Sequence, residues 1–169
     1  MPKGFKQTSQ IITIGASVVE TAAATFTETE VDLNLDPLNN EVFVVLAANL
    51  DASFPEAIAG VTTAVRAQVT TTSQTGIIPL SSPKIIAKLN QEIKANGFTD
   101  GGVGFTSAAL ETPPSTLEYI AIIATNNFFL GVEGVGNLNA KTGNCKLWGY
   151  RARADPSVYA ALVQSELLS

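Results

Sequence analysis

The 169-residue chain contains no histidine. That removes the commonest general base, the Ser–His and Cys–His nucleophile pairs, and every His-containing metal site. Cys145 is the single cysteine, so no intrachain disulfide can form, which fits a reducing site of synthesis. Trp148 is the only tryptophan, and aromatic platforms for stacking sugars are correspondingly scarce. Ten basic residues are dispersed among fifteen acidic ones, for a net charge of -5. No basic cluster forms the footprint that phosphate recognition requires, so direct nucleic-acid binding is not expected. No run approaches the ~20 apolar residues of a membrane-spanning helix, and the opening MPKGFKQTSQ lacks the apolar core of a secretory signal. A transmembrane segment is therefore not expected, and no internal repeat is visible.

Hydrophobic residues make up 46% of the chain, enough for one domain with a substantial core. They lean toward Val, Ile, Ala and Phe, with abundant Thr, a mixture suited to pleated, half-buried surfaces. Residues 1–9 are polar and read as a flexible arm or an edge extension; residues 10–169 read as a single β-sandwich domain.

Along the chain, residues 10–20 read as a first strand bent or bulged at Gly15. Residues 25–35 alternate, with Val31, Leu33 and Leu35 on one parity and Glu28, Glu30 and Asp32 on the other. The stretch DPLNN at 36–40 supplies a turn, and EVFVVLAA at 41–48 suits a sheet interior. A loop covers 49–60, and the alternation over 61–72 predicts a long half-exposed strand. Ser82 and Pro83, followed by Ile85, Ile86, Leu89 and Ile93, predict a helix over about 83–95, stopped by Asn96 and Gly97. Residues 97–116 are rich in Gly and Pro and long for a loop, which marks a contact surface. Two apolar runs, LEYIAIIA and FFLGVEG, flank Thr125, Asn126 and Asn127 and predict a central hairpin over 117–134, with the asparagines supplying positive φ. A glycine-rich turn spans 131–143. A last strand covers 144–153, with Cys145, Leu147, Gly149, Arg151 and Arg153 on one side. Asp155 and Pro156 open a terminal helix over about 156–167 with an apolar stripe.

Few residues invite chemistry. Lys141 and Thr142 end a glycine-rich stretch, but Val135 and Ala140 stand where a phosphate-binding loop needs glycine, so a plain turn is favoured. Glu28, Glu30 and Asp32 share a strand face, yet a strand spaces such carboxylates ~7 Å apart, so a solvated acidic face explains them better than a bound ion. Cys145 has Lys146 beside it in sequence, but neighbours on a strand point to opposite faces, which favours a structural thiol. Arg151 and Arg153 share a face and can pair with acids of a neighbouring strand or subunit, but an exposed strand face with one or two surface ion pairs is the favoured reading. No catalytic, cofactor-binding or metal-binding residues are assigned, no cofactor is expected, and an enzyme is disfavoured.

In length and strand rhythm, residues 10–153 resemble the single jelly-roll coat proteins of icosahedral viruses. That family packs eight strands into two sheets, with helices in the connections. The resemblance implies a mainly β, antiparallel sandwich of jelly-roll type with two short helices, about 83–95 and 156–167. It also implies a structural virion protein, made in the host cytoplasm and assembling with copies of itself and with other virion proteins. Many such proteins that co-assemble with RNA carry a basic arm, whereas residues 1–9 offer only Lys3 and Lys6. The alternative is a binding module, such as a phage tail, fibre or surface sandwich, that recognises a partner through loops 52–60 and 97–116.

Overall fold

The computed structural model describes residues 2–97, 99, 102–109 and 116–168. Its strands are β1 (Phe5–Gln7), β2 (Ile12–Val19), β3 (Thr27–Asp32), β4 (Glu41–Ala52), β5 (Thr63–Thr70), β6 (Ile85–Lys94), β7 (Val103–Ala109), β8 (Ala121–Ile123), β9 (Asn127–Val135) and β10 (Thr142–Ala154). One helix, α1 (Pro156–Leu168), follows. The strands form two five-stranded antiparallel sheets. In the first, β8, β4 and β10 lie side by side, and β10 carries both β1 and β2 on its other flank. In the second, the order is β3, β9, β5, β6, β7.

The pairing is nested. β2 pairs with β10, β3 with β9, β4 with β8 and β5 with β6. Two cross-ladders, β4 with β10 and β5 with β9, gather these pairs into the sheets. Side chains from both inner faces meet in one core that includes Phe43, Val45, Val65, Val69, Phe128, Leu130 and Leu147. Alternation along each strand produces it, because successive residues point to opposite faces.

β4 departs from simple alternation. Its register against β10 shifts between Trp148 and Gly149, so the inward set passes from Phe43 and Val45 to Ala48 and Leu50. Opposite that bulge, a Cβ on Gly149 would stand 2.3 Å from the Val44 carbonyl oxygen, which leaves room only for glycine. Val42 and Val44 point outward, where Tyr150, Ala152 and Ala154 of β10 join them in a second cluster. Tyr119, Val158, Tyr159, Leu162 and Val163 close over it, so the terminal helix lies against the outer face of the first sheet.

Several expectations are corrected. Residues 85–94 are strand β6, paired with β5 on one side and β7 on the other, rather than a helix. The run from Lys88 to Lys94 also alternates, with Leu89 and Ile93 buried and Lys88, Asn90 and Glu92 on the other parity. Two long ladders outweigh the local preference for a helix after Ser82 and Pro83.

The expected hairpin over 117–134 is a crossover. β8 pairs with β4 in the first sheet and β9 with β3 and β5 in the second, so the two runs never pair with each other. β8 is a sheet edge, while β9 is interior. The positive φ expected at the paired asparagines falls instead on Asn34 and Asn40. Asn126 keeps an ordinary backbone and is held from a distance: its carbonyl accepts from Leu33 N–H at 2.8 Å and its side chain accepts from Leu35 N–H.

β5 is almost wholly buried, not half exposed, because it is flanked on both edges and covered on both faces. β2 runs opposite β10 without a break from Ile12 to Val19, so Gly15 carries no bulge. Part of the expected loop 97–116 is strand β7; residues 98, 100, 101 and 110–115 of it lie outside the described residues. Of the two forms open to residues 1–9, Phe5–Gln7 takes the edge extension. The strand over 41–48 and the sidedness of β10 stand as expected, and the terminal helix forms where expected but is apolar most of the way round instead of along one stripe.

Candidate interaction surfaces

The glycine-rich turn after β9 is built around two carboxylates whose role the sequence did not announce. Glu20, at the end of β2, is buried, and its carboxylate accepts from Thr25 N–H at 3.1 Å, Gly134 N–H at 2.7 Å and Lys141 N–H at 2.7 Å. Three backbone donors satisfy a carboxylate that burial would otherwise penalise. Glu56 accepts from Leu138 N–H, Asn139 N–H and the Asn139 amide, and lies 3.7 Å from the Lys141 ammonium. The Asn139 amide holds the Glu56 carboxyl below its ordinary pKa against a smaller desolvation effect, with the backbone donors and Lys141 adding to it. These bonds occupy the amides that a phosphate loop would have offered, which agrees with the plain-turn reading. Asn137 completes the stitch, donating to Ala64 O at 2.8 Å and accepting from Glu56 N–H at 2.9 Å.

Loop 52–60 is thereby tied to the turn at one end of the sandwich. Phe54 and Leu138 stand exposed beside this polar stitch.

The acidic strand face is engaged within the chain. Glu28 accepts from the Ser73 hydroxyl at 2.6 Å and from Gln74 N–H at 3.0 Å; Glu30 accepts from the Asn127 amide, and Asp32 from Asn34 N–H. Among the described residues, no group of three or more His, Cys, Asp or Glu side chains converges on a metal-sized space. Arg151 lies 3.5 Å from Glu41 and donates to the carbonyls of Leu33 and Asn34, while Arg153 donates to Asn39. Both arginines therefore serve loops of their own subunit. Asp36 caps the short turn at Pro37–Asn39, and the Asn39 side chain draws its carboxyl below the ordinary pKa.

Cys145 faces the core, and burial pushes its thiol up to about 11. Lys146 points the other way and lies over the Trp148 ring, 5.8 Å from its centroid. The structural-thiol reading holds, because a nucleophile needs the thiolate at working pH.

Among the described residues, two further surfaces stand out. One is the outer side of α1, where Ala160, Gln164, Leu167 and Leu168 face away from the sheet; Leu167 is 69% and Leu168 77% exposed. The helix is apolar most of the way round, so packing one side on the sheet leaves apolar surface on the other. The second is a cavity of about 610 Å³ on the outer face of the second sheet, lined by Arg66, Lys88, Asn90 and Glu133 and walled by residues 77–80. It was not foreseen, because its residues come from three strands and one connection. No described helix is long and apolar enough to cross a membrane.

No protein-family model and no curated protein matches the chain. Among solved structures, a chain of desmodium yellow mottle tymovirus aligns over 92% of this chain and 93% of its own length, at 11% identity and a TM-score of 0.31. A TM-score of that size is too low to establish a shared fold.

Proposed function

We propose that this chain is a viral coat subunit of single jelly-roll type, which associates with copies of itself into a shell and works in the virion. The observation that carries this reading is the nested pairing of β2 with β10, β3 with β9, β4 with β8 and β5 with β6. Four nested antiparallel pairs, rolled so that the strands divide between two facing sheets, build a jelly roll. That architecture recurs in viral shells, in lectin domains and in cupins. Fold alone does not choose among these uses.

The composition favours the shell. With no histidine and no converging carboxylates among the described residues, the chain is read as non-enzymatic. With one tryptophan, it is poorly supplied for stacking sugars. Its exposed apolar side chains, Leu38, Phe54, Phe105, Leu138, Leu167 and Leu168, are what subunit contacts cover. Lys3 and Lys6 are too few for an RNA-binding arm, and Phe5–Gln7 between and beyond them pairs with β10.

Size-exclusion chromatography with light scattering, followed by negative-stain microscopy, tests the reading. Closed shells, rings, or pentameric and hexameric capsomers are expected. A monomer at every concentration and salt would overturn it and leave the binding module.

A further inference from the structure

The 610 Å³ cavity on the second sheet is assigned to nothing in the coat reading, and its construction is specific. Its floor is the outer face of β9, β5 and β6, where Glu133, Arg66 and Asn90 stand in one cross-strand row. Lys88 lies one outward position along β6 from Asn90, opposite Gln68. The wall is the connection at 76–80, strapped to the sheet by three bonds: Gln68 donates to Gly76 O at 3.0 Å and accepts from Ile78 N–H at 2.9 Å, and Lys88 donates to Ile78 O at 2.8 Å. Ile77, Ile78, Pro79 and Leu80 supply its apolar lining.

The polar groups of this cavity are unevenly matched. Among the described residues, no carboxylate lies within ion-pair distance of Arg66 or Lys88, although Glu133 faces the same space. Burial and the neighbouring Arg66 both draw the Lys88 pKa down, so the two cations act on each other. Two cations call for an anion, a carboxylate calls for a donor, and four apolar residues call for an aliphatic body.

We propose that this cavity binds a small zwitterion, an α-amino acid with an aliphatic side chain. The ligand carboxylate bonds Arg66 and Lys88, its ammonium bonds Glu133, and its side chain lies against residues 77–80. The assignment goes beyond the coat reading and does not depend on assembly.

The test uses the whole protein with L-leucine as the probe, in calorimetry and in amide-shift titration. Its controls are 4-methylpentanoate, which lacks the ammonium, 3-methylbutylamine, which lacks the carboxylate, and glycine, which lacks the side chain. Leucine is expected to shift residues 66, 76–80, 88, 90 and 133, with each control at least tenfold weaker. Arg66→Gln and Glu133→Gln should each weaken leucine by tenfold or more while the remaining amide spectrum stays folded. Equal binding of 4-methylpentanoate and leucine would make this a plain anion site and overturn the proposal. Absence of shifts at millimolar leucine, or shifts unchanged in both variants, would overturn it as well.

Discussion

The two outer faces of the sandwich are covered by opposite means. Over the first sheet, α1 lays Val158, Tyr159, Leu162 and Val163 on Val42, Val44, Tyr150 and Ala152, so the contact is apolar. A polar clasp supplements it: the Glu166 carboxylate accepts from Ala124 N–H and Thr125 N–H, each at 2.9 Å. Over the second sheet, the cover is a connection without regular structure. Gln68 and Lys88 pin residues 76–78 through backbone atoms, and Glu28 pins Ser73 and Gln74. An apolar cover excludes water and shields an extended face. A polar strap stands off the sheet far enough to leave a cavity beneath it. The difference accounts for the cavity beneath the strap on the second sheet.

Removing residues 156–168 should have the largest effect. Uncovering Val42, Val44, Tyr150 and their neighbours forfeits ~1.5–3 kcal/mol for each large side chain fully re-exposed. A loss of about 5 kcal/mol would lower the melting temperature by roughly 10–20 °C in a chain of this size. Calorimetry and a solubility assay measure it; unchanged melting and oligomeric state would show that the helix does not protect this face.

Gln68→Ala attacks the other cover. It leaves Gly76 O and Ile78 N–H without their partners, at a cost of about 2–3 kcal/mol for a buried amide with two bonds. Limited proteolysis should open residues 73–80 in this variant and leave α1 intact. A strap that stays protected would mean that its apolar residues, not its polar pins, hold it.

A pH scan separates the shared core from both covers. The folded state keeps the Cys145 thiol protonated up to about 11, whereas its ordinary value is 9.0. Between those values the unfolded chain binds fewer protons, so stability falls as pH rises. Two pH units at ~1.4 kcal/mol each make a loss of about 2–3 kcal/mol. Urea unfolding at pH 8 and pH 11, taken as about three units apart, should show this limb in the wild type and a flatter one in Cys145→Ala. The same limb in both proteins would assign it to other groups.

Glu166→Gln tests the smallest contribution, the clasp. One amide oxygen remains to accept, so the cost should be about 1 kcal/mol, read as faster hydrogen exchange at Ala124 and Thr125 with little change in melting. A large drop in melting would make the clasp, rather than the apolar contact, the main attachment of the helix.

What could be read along the chain follows which partners are local. Alternation marked β3, β5 and β10, and the apolar run at 41–48 marked β4, because each strand's own residues must divide between two faces. Asp155 and Pro156 marked the start of α1 in the same way. Residues 85–94 were legible only as apolar spacing that served two periods: Ile85, Ile86, Leu89 and Ile93 fit a helix, while Leu89 and Ile93 also fit a strand. The choice between them lies in β5 and β7, which no local pattern contains.

Glu20 and Glu56 were illegible for a related reason. A carboxylate at the end of one strand and another in a loop look like ordinary surface charges, yet Glu20 bonds residues 114 and 121 positions away. The Arg66, Lys88, Asn90 and Glu133 constellation is hidden likewise, as three strands contribute to it.

Composition and periodicity were sufficient for a mainly β, antiparallel chain with a terminal helix and no histidine-based chemistry, since those properties depend on residue type and near neighbours. Folding chose which apolar runs pair, turning a presumed hairpin into a crossover between sheets and a presumed helix into β6. It also brought the Glu20 and Glu56 carboxylates to distant amides and set the strap over the second sheet. Pairing and burial depend on contacts between residues far apart in the chain, and only a closed three-dimensional arrangement balances those against the entropy of bringing them together.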